Sequence, residues 1–255
     1  MRVKKSRRCL IKSEHSLTQK MSVGASLLAK GIREQARSYN GESAKRKLGI
    51  NGLYAITPDE LNTAELLRKV ELVLQGGARV LQYRNKLADS ELRLIQATAL
   101  RDLTQKFTAT FIVNDDVQLA HQIAADGVHL GSNDGGIAEA RKRLGNDKII
   151  GMSCYNRIEL AQQAVQQGAD YVAFGAFFAS SVKPNAPVAT LDLLQQARRE
   201  LNVPIVAIGG ITLQNGKQLI EAGADALAVI SAVFGATDIQ QAAQQFSTLF
   251  SERTT

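Results

Sequence analysis

From Gly52 onward, short apolar runs alternate with longer stretches in which apolar residues recur at helical spacing. Helical spacing is found at Ala64–Leu74, at Glu91–Phe107 and, for the last helix, at Ile239–Phe250. The pattern predicts eight strand–helix units. The eight predicted strands are Leu53–Ile56, Arg79–Tyr83, Thr110–Asn114, Gly127–Leu130, Lys148–Ser153, Asp170–Gly175, Pro204–Ile208 and Ala224–Ile230.

A weak internal repeat precedes several of these strands. Glycine in the left-handed region ends a helix, and a short turn then starts the next strand. Strands that are continuously apolar are buried on both faces, as in parallel sheets. Eight such units predict a single (β/α)8 TIM barrel. The repeat comprises Gln75–Arg79, Ala125–Gly127, Gln167–Asp170 and Ala222–Asp225.

A doubly wound open sheet is the alternative fold. Its usual Gly-x-Gly-x-x-Gly turn after the first strand is absent, because Thr57, Pro58 and Asp59 stand there. The barrel is therefore the preferred prediction.

Charge is distributed unevenly along the 255 residues, whose formal net charge is +7. Residues 1–50 hold 13 basic and 3 acidic residues, and the remainder holds 31 − 13 = 18 basic and 24 − 3 = 21 acidic residues. The mildly acidic remainder does not suggest nucleic-acid binding. We expect residues 1–48 to be a disordered basic extension, as a transit peptide or a start upstream of Met21 would give, and residues 49–255 to form the catalytic domain.

Cysteine and histidine are scarce. Cys9 and Cys154 form neither a disulfide framework nor a metal motif, which fits a reducing compartment and predicts a cytoplasmic protein. No apolar run is long enough to span a membrane. We expect His129 to be a hydrogen-bonded core residue and His121 to be structural, so a histidine-centred hydrolase is disfavoured.

The end of the second predicted strand carries a cluster of polar and basic side chains. Because side chains alternate along a strand, Gln82, Arg84 and Lys86 project to one side. Arginine is a planar fork for phosphate oxygens and lysine is a compact charge. This strand end predicts a diphosphate-binding site, with a solvated strand end as the alternative.

Two carboxylates follow neighbouring strands. Asp115 and Asp134 come after the third and fourth strands, so both can face the mouth of the barrel. Magnesium prefers oxygen ligands and often bridges to substrate phosphates, so the pair predicts a Mg²⁺ site. The alternative for each aspartate is a helix N-cap, which suits Asp116.

A second phosphate site is predicted after strands seven and eight. Gly209 and Gly210 allow backbone N–H groups to approach an anion, and Ile230 and Ser231 open the next loop. A plain turn is the alternative. No Ser-His-Asp or Cys-His pairing accompanies these groups, so the site offers charge stabilisation and no nucleophile.

Taken together, these motifs resemble the thiamine-phosphate synthase family over nearly the whole of residues 52–250. The resemblance implies that a pyrimidine with a diphosphate on its methylene is joined to a thiazole monophosphate, with loss of diphosphate and help from Mg²⁺. The matching motifs are Gly52–Thr57, Gln82–Lys86, Asn114–Val117, Gly127–Gly131 with Asp134, Ala169–Val172, Lys183 and Ile208–Ile211.

The resemblance also implies residue roles. Asp115 and Asp134 would bind Mg²⁺, and Arg84, Lys86 and Lys183 would act on the leaving diphosphate. The pyrimidine diphosphate would be held by Gln82, Tyr83, Arg84, Asn85, Lys86, Asn114, Ser153 and Lys183. The thiazole phosphate would be held by Ser180, Ser181, Val182, Gly210, Ile230 and Ser231.

Two departures from the family pattern concern the loop at Val182, where a hydroxyl is common, and Tyr155, where many relatives carry histidine. A thiazole tautomerase paralogue would lack the full diphosphate site and use that histidine. A non-catalytic regulator that binds a thiamine precursor would lack the metal ligands. Another phosphate-handling barrel would need an acid–base pair that is not apparent here.

The expected partners are two phosphorylated small molecules, with neither nucleic acid nor membrane.

Overall fold

A computed structural model describes residues 49–131, 134–178 and 188–251. The predicted basic extension and the predicted site residues Ser180, Ser181, Val182 and Lys183 lie outside these ranges. The eight strands of the described residues are β1 (Gly52–Ile56), β2 (Val80–Tyr83), β3 (Thr110–Asn114), β4 (Gly127–Leu130), β5 (Ile149–Tyr155), β6 (Tyr171–Phe174), β7 (Ile205–Ile208) and β8 (Ala226–Val229).

Helices follow the strands in turn. Several begin at a side chain that caps the first turn, such as Asn62, Asp89 and Asp116, each of which accepts a backbone N–H three residues on. The helices in the described ranges are α1 (Thr63–Gln75), α2 (Ser90–Lys106), α3 (Val117–Gln122), α4 (Ile137–Leu144), α5 (Ile158–Gln166), α6 (Leu191–Glu200), α7 (Leu213–Glu221), α8 (Ser231–Phe234) and α9 (Ile239–Ser251).

The strands close into a parallel barrel in chain order. Strand β1 pairs with β2, Ala55 lying opposite Leu81, and also with β8, where Ala55 lies opposite Val229. A sheet without edges confirms the predicted TIM barrel and rules out the open sheet. Among the described residues, no helix is both long and apolar enough to cross a bilayer.

Both faces of the barrel are packed, which explains why the strands are continuously apolar. Alternate residues such as Leu53, Leu81 and Phe111 face the helices in one core cluster. Their neighbours, among them Tyr54 and Tyr171, fill the barrel interior in a second cluster. The interior cluster includes tyrosines because their rings fill volume while their hydroxyls find partners there.

The predicted strand bounds agree with the structure to within two residues. The prediction that β5 ends at Ser153 is wrong, because the strand continues to Tyr155 with a register shift between these two residues. A bulge of this kind inserts a residue into the ladder and redirects the strand.

The repeat motif marks the N-terminal rim of the barrel, defined by the residues that enter the strands. In three of the four copies an aspartate carboxylate accepts the backbone N–H of a residue in the preceding strand and pairs with a helix arginine. The triplets are Asp126 with Phe111 N and Arg101, Asp170 with Ile150 N and Arg141, and Asp225 with Ile205 N and Arg198.

Glycine caps the preceding helix at three of the four copies, with positive φ at Gly77, Gly168 and Gly223. In the Ala125–Gly127 copy that expectation is wrong. Ala124 takes the positive φ there, and Gly127 is inside β4, where a Cβ would lie 2.2 Å from the Ile149 carbonyl oxygen. That glycine is required by close strand packing and not by a cap.

Candidate active site

A cavity of about 630 Å³ opens at the C-terminal ends of β2, β3 and β4. It brings Arg84 and Lys86 of the predicted diphosphate-binding strand end together with the two predicted metal ligands, whereas Gln82 of that strand end is hydrogen-bonded to Tyr54 in the barrel interior. Its lining comprises Tyr83, Arg84, Asn85, Lys86, Arg93, Val113, Asn114, Asp115, Asp116, Val117, Leu119 and Asp134.

The basic strand end is fixed by the loop after β1. The Thr57 hydroxyl accepts the Arg84 backbone N–H and donates to the Arg84 carbonyl, both at 2.8 Å. Asp59 accepts the backbone N–H of Lys86 at 2.6 Å, and its carboxylate lies 3.5 Å from the Arg84 guanidinium. These bonds hold the two cations at the cavity, because the backbone that carries them is tied on both sides.

Tyr83 and Asn85 alternate with these cations and are buried. The Tyr83 hydroxyl and the Asn85 amide both donate to Gln96 on α2, at 2.9 and 3.0 Å. Asn85 also accepts the backbone N–H groups of Leu87 and Ala88. The polar groups of Tyr83 and Asn85 are thus hydrogen-bonded within the protein and hold the loop after β2. Their direct contact with substrate remains a prediction.

Asp115 stands at a sharp turn after β3. Its φ is +62°, a left-handed conformation that aspartate tolerates better than most residues, and its backbone N–H donates to the His129 carbonyl at 2.8 Å. Asp134 is placed by Gly131, whose N–H donates to the Asp134 carboxylate at 2.9 Å. A Cβ on Gly131 would lie 2.7 Å from that oxygen, so a larger residue there would displace the Asp134 carboxylate.

The Asp115 carboxyl is hydrogen-bonded to that of Asp134, and its pKa is raised. Burial is the main cause, followed by the hydrogen bond and the like charge of Asp134, and together they raise the pKa of Asp115 to about 6. Asn114 and Lys86 act in the opposite direction. A divalent cation between the carboxylates would relieve the repulsion.

The donor set fits magnesium. In the described ranges, no three His, Cys, Asp or Glu side chains come together as a metal cluster. Mg²⁺ is usually bound by one or two carboxylates together with waters and substrate phosphates. Asp115 and Asp134 beside Arg84 and Lys86 supply the carboxylates next to a place for phosphate.

A chain of hydrogen bonds crosses the interior of the barrel below this cavity. Gln82 donates to the Tyr54 hydroxyl at 2.9 Å, and the Tyr54 and Tyr171 hydroxyls lie 2.8 Å apart. His129 Nδ1 lies 2.8 Å from the Tyr171 hydroxyl and its Nε2 lies 2.8 Å from Ser153 Oγ. The chain, called here the interior relay, therefore links two predicted substrate-binding residues, Gln82 and Ser153.

The relay has a fixed donor at its Gln82 end, where the amide donates to the Tyr54 hydroxyl. The Tyr54–Tyr171 bond and the two His129 bonds can each run in either direction. Burial lowers the pKa of His129 to about 4, so the ring is neutral and one of its nitrogens donates while the other accepts. The Ser153 hydroxyl is held by that ring at the other end of the relay.

The predicted histidine roles are consistent with this arrangement. His129 is a buried, hydrogen-bonded core residue, and exposed His121 lies on α3. Asp116 N-caps α3, as expected, by accepting the Leu119 N–H at 2.8 Å. Sequence reasoning missed Tyr54, Tyr171 and Arg93, although a tyrosine inside an apolar strand is a signal for a buried hydroxyl.

The predicted second phosphate site lies at the ends of β7 and β8. These strands pair in register, Ile208 opposite Ala228, so Gly210 and Ile230 leave the sheet side by side. Gly209 and Gly210 both have positive φ, and Ile230 caps the short helix α8 that begins with Ser231. Exposed backbone N–H groups at such a turn suit an anion.

Comparison with known proteins shows the family to which the chain belongs. The sequence model of the thiamine monophosphate synthase family matches residues 53–233. The chain belongs to the thiamine monophosphate synthase family. A thiamine-phosphate synthase of Methylobacillus flagellatus is 59% identical over 201 residues, which are 79% of this chain and 96% of that protein. One from Nitrosospira multiformis is 50% identical, with 82% and 89% covered. The resemblance found in the sequence is confirmed.

Solved structures agree with this family assignment. Thiamine phosphate pyrophosphorylase from Pyrococcus furiosus is similar with a TM-score of 0.72 at 35% identity, covering 82% of this chain and 98% of that one. A 3-hexulose-6-phosphate synthase, with a TM-score of 0.59 at 17% identity over 77% of this chain and 99% of that chain, shares the barrel fold alone.

Proposed function

We propose that the protein is a thiamine-phosphate synthase. It joins 4-amino-2-methyl-5-(diphosphooxymethyl)pyrimidine to 4-methyl-5-(2-phosphoethyl)thiazole, giving thiamine phosphate and diphosphate. Family membership makes the protein an enzyme of the transferase class. The observation that carries the proposal is the single cavity in which Arg84 and Lys86 stand beside the carboxylates of Asp115 and Asp134.

The cations act where negative charge develops. As the bond from the pyrimidine methylene carbon to the diphosphate oxygen breaks, its electron pair leaves with the oxygen, and the thiazole nitrogen supplies the pair for the new carbon–nitrogen bond. Arg84 and Lys86 stabilise the departing diphosphate, and Lys183 is a third proposed contact. Charge stabilisation of this kind is most effective when the donors are fixed in advance, as Thr57 and Asp59 fix these two.

The two carboxylates are the proposed metal ligands. Asp115 and Asp134 would hold Mg²⁺, which when bound neutralises charge on the diphosphate. Asn114, which hydrogen-bonds the Asp115 carboxyl, helps to keep that group ionised. The mechanism is accordingly dissociative and needs no nucleophile from the protein.

The interior relay supports recognition of the pyrimidine substrate. Gln82 and Ser153 stand at its two ends and are held by Tyr54 and His129. Because His129 is neutral and buried, with a pKa lowered to about 4, it serves to orient Ser153 and not to take up a proton. Gly210, Ile230 and Ser231 are the described members of the proposed thiazole-phosphate site.

A direct assay tests the proposal. The purified protein is incubated with both phosphorylated precursors and Mg²⁺, and thiamine phosphate and diphosphate are measured by chromatography. Equal amounts of the two products are expected, and neither should form when the thiazole phosphate is omitted. Failure to form thiamine phosphate would contradict the proposed function, and diphosphate release without thiazole would indicate a hydrolase instead.

A further inference from the structure

Arg93 is a cavity residue that neither the strand-end motif nor the metal pair includes. It is the fourth residue of α2 and lines the same cavity as Arg84 and Lys86. Its charge reaches the cavity wall, since it lowers the pKa of Tyr83 against the larger opposing effect of burial. A third cation therefore faces this cavity, and it comes from a helix and not from a strand end.

One donor of the Arg93 side chain is unpartnered among the described residues. Its Nε is buried and has no hydrogen-bond partner among the described residues. A buried donor without an acceptor costs free energy, and such groups in native proteins usually have a functional reason. Nε itself is shielded from solvent, so an anion in the cavity would be met by the terminal nitrogens of the guanidinium.

The carboxylates near the cavity have partners other than Arg93. Asp115 and Asp134 bind each other through hydrogen bonding, and Asp116 caps α3. Asp59 is taken by Arg84 and the Lys86 backbone. The charge of Arg93 is therefore left to be balanced by an anion of the ligand.

The position of Arg93 within α2 does not favour the helix itself. Cations are stabilising near a helix C-terminus, where Lys106 stands, and opposed by the dipole near the N-terminus, where Arg93 stands. The cost of a cation at this end is offset if an anion binds.

We propose that Arg93 is a further binding residue for the diphosphate of the pyrimidine substrate. It binds the diphosphate from α2, while Arg84 and Lys86 bind it from the end of β2. Guanidinium groups bind phosphate through paired N–H donors, which suits an arginine that lines the cavity. This assignment rests on the proposed function, because the cavity is taken as the diphosphate site.

The test uses inorganic pyrophosphate with Mg²⁺ as the probe, in calorimetric titrations of the full-length protein. Arg93→Met keeps the unbranched stem and removes the charge. We expect its dissociation constant for pyrophosphate to rise about 10- to 100-fold, the range for one charge-assisted hydrogen bond. Arg93→Lys should recover part of the loss. Arg79→Met, at the other end of β2 and exposed, removes the same charge and should bind pyrophosphate normally.

Kinetics separate ligand binding from a structural role. In Arg93→Met the Michaelis constant for the pyrimidine diphosphate should rise, while that for thiazole phosphate and the melting temperature stay near wild type. A folded Arg93→Met variant with wild-type pyrophosphate affinity overturns the proposal, whatever its melting temperature. If that variant does not fold, Arg93→Gln is judged by the same criterion.

The two proposals can fail separately. If the wild-type protein forms thiamine phosphate but Arg93→Met binds pyrophosphate normally, only the Arg93 assignment is wrong. If the wild type forms no thiamine phosphate yet its pyrophosphate binding depends on Arg93, the proposed function fails and the anion site stands.

Discussion

The two rims of the barrel both contain aspartate and arginine side chains, but these are arranged differently at each rim. At the N-terminal rim, Asp126 accepts the Phe111 N–H at 2.9 Å and pairs with Arg101. At the C-terminal rim, formed by the residues that follow the strands, Asp115 instead meets a second carboxylate, and its pKa is raised to about 6. Arg93 at this rim has a buried donor with no partner among the described residues.

The difference shows which charged side chains stabilise the fold and which do not. At the N-terminal rim, three aspartates each bond the preceding strand and pair with a helix arginine. Unrelieved charges at the C-terminal rim are unfavourable until ligands arrive, which is typical of functional sites. In TIM barrels generally, the N-terminal face contributes to stability and the C-terminal face carries the active site.

The largest expected effect is the loss of Arg84. Because it meets charge that builds on the leaving oxygen, Arg84→Ala should lower turnover about 10²- to 10³-fold. Its Michaelis constant for thiazole phosphate should stay nearly unchanged, whereas Ser231→Ala should mainly raise that constant. Steady-state kinetics with each substrate varied in turn measure both.

Arg79→Ala is the matched control for Arg84→Ala. It removes the same side chain from the opposite end of the same strand, where the residue is exposed. Turnover should be unaffected. If Arg84→Ala is no worse than this control, or if it acts mainly on the thiazole phosphate, the two phosphate sites have been assigned the wrong way round.

A smaller loss is expected for Tyr171→Phe, which cuts the interior relay in the middle. Tyr54 and His129 lose a buried partner, which costs about 1–3 kcal/mol. Melting temperature should fall by several degrees, and turnover should fall about tenfold because Ser153 is no longer oriented. Unchanged turnover in a destabilised variant would show that the relay serves the core alone.

Acid should weaken metal binding at the C-terminal rim. The pKa of Asp115 is raised to about 6, so without metal this carboxyl is largely protonated at pH 5 and Mg²⁺ must displace the proton. The affinity for Mg²⁺, measured by calorimetry, should fall about tenfold from pH 7.5 to pH 5. The raised pKa also means that this group destabilises the metal-free fold as pH rises through 6. An affinity that is flat over this range would contradict the pairing of Asp115 with Asp134.

The smallest effect is expected for the basic extension. Both rims are built from residues after Gly49. Residues 1–50, with 13 basic and 3 acidic residues, have little apolar surface to offset the entropy of ordering. A protein that begins at Lys47 should keep its turnover and melting temperature, and a sharp fall in either would make the extension part of the domain.

Local patterns were sufficient to predict the barrel and part of its C-terminal rim. Continuous apolar runs predict buried parallel strands, and the residue after each run is fixed at the functional end, which is why Arg84 and Asp115 could be identified. The bulge at Tyr155 was missed, since nothing in the apolar run signals an extra residue.

Long-range proximity was not predictable in the same way. Tyr54 and Tyr171 are separated by 117 positions and meet only because the barrel closes. Arg93 lies within an ordinary helical pattern, and its role depends on the direction in which α2 faces the cavity. The aspartates of the N-terminal rim are recognisable in the sequence as part of a repeat, but their arginine partners are not.

The most direct test of this division of labour exchanges one aspartate for asparagine at each rim, with thiamine phosphate formation and melting temperature measured on both variants. Asp115→Asn should lose at least about 10²-fold in turnover and melt no lower than wild type, because it removes a repelled charge. Asp126→Asn should lose about 1–2 kcal/mol of stability and keep its turnover below its melting temperature. Full activity in Asp115→Asn, or a loss of activity in folded Asp126→Asn as large as that in Asp115→Asn, would contradict the account.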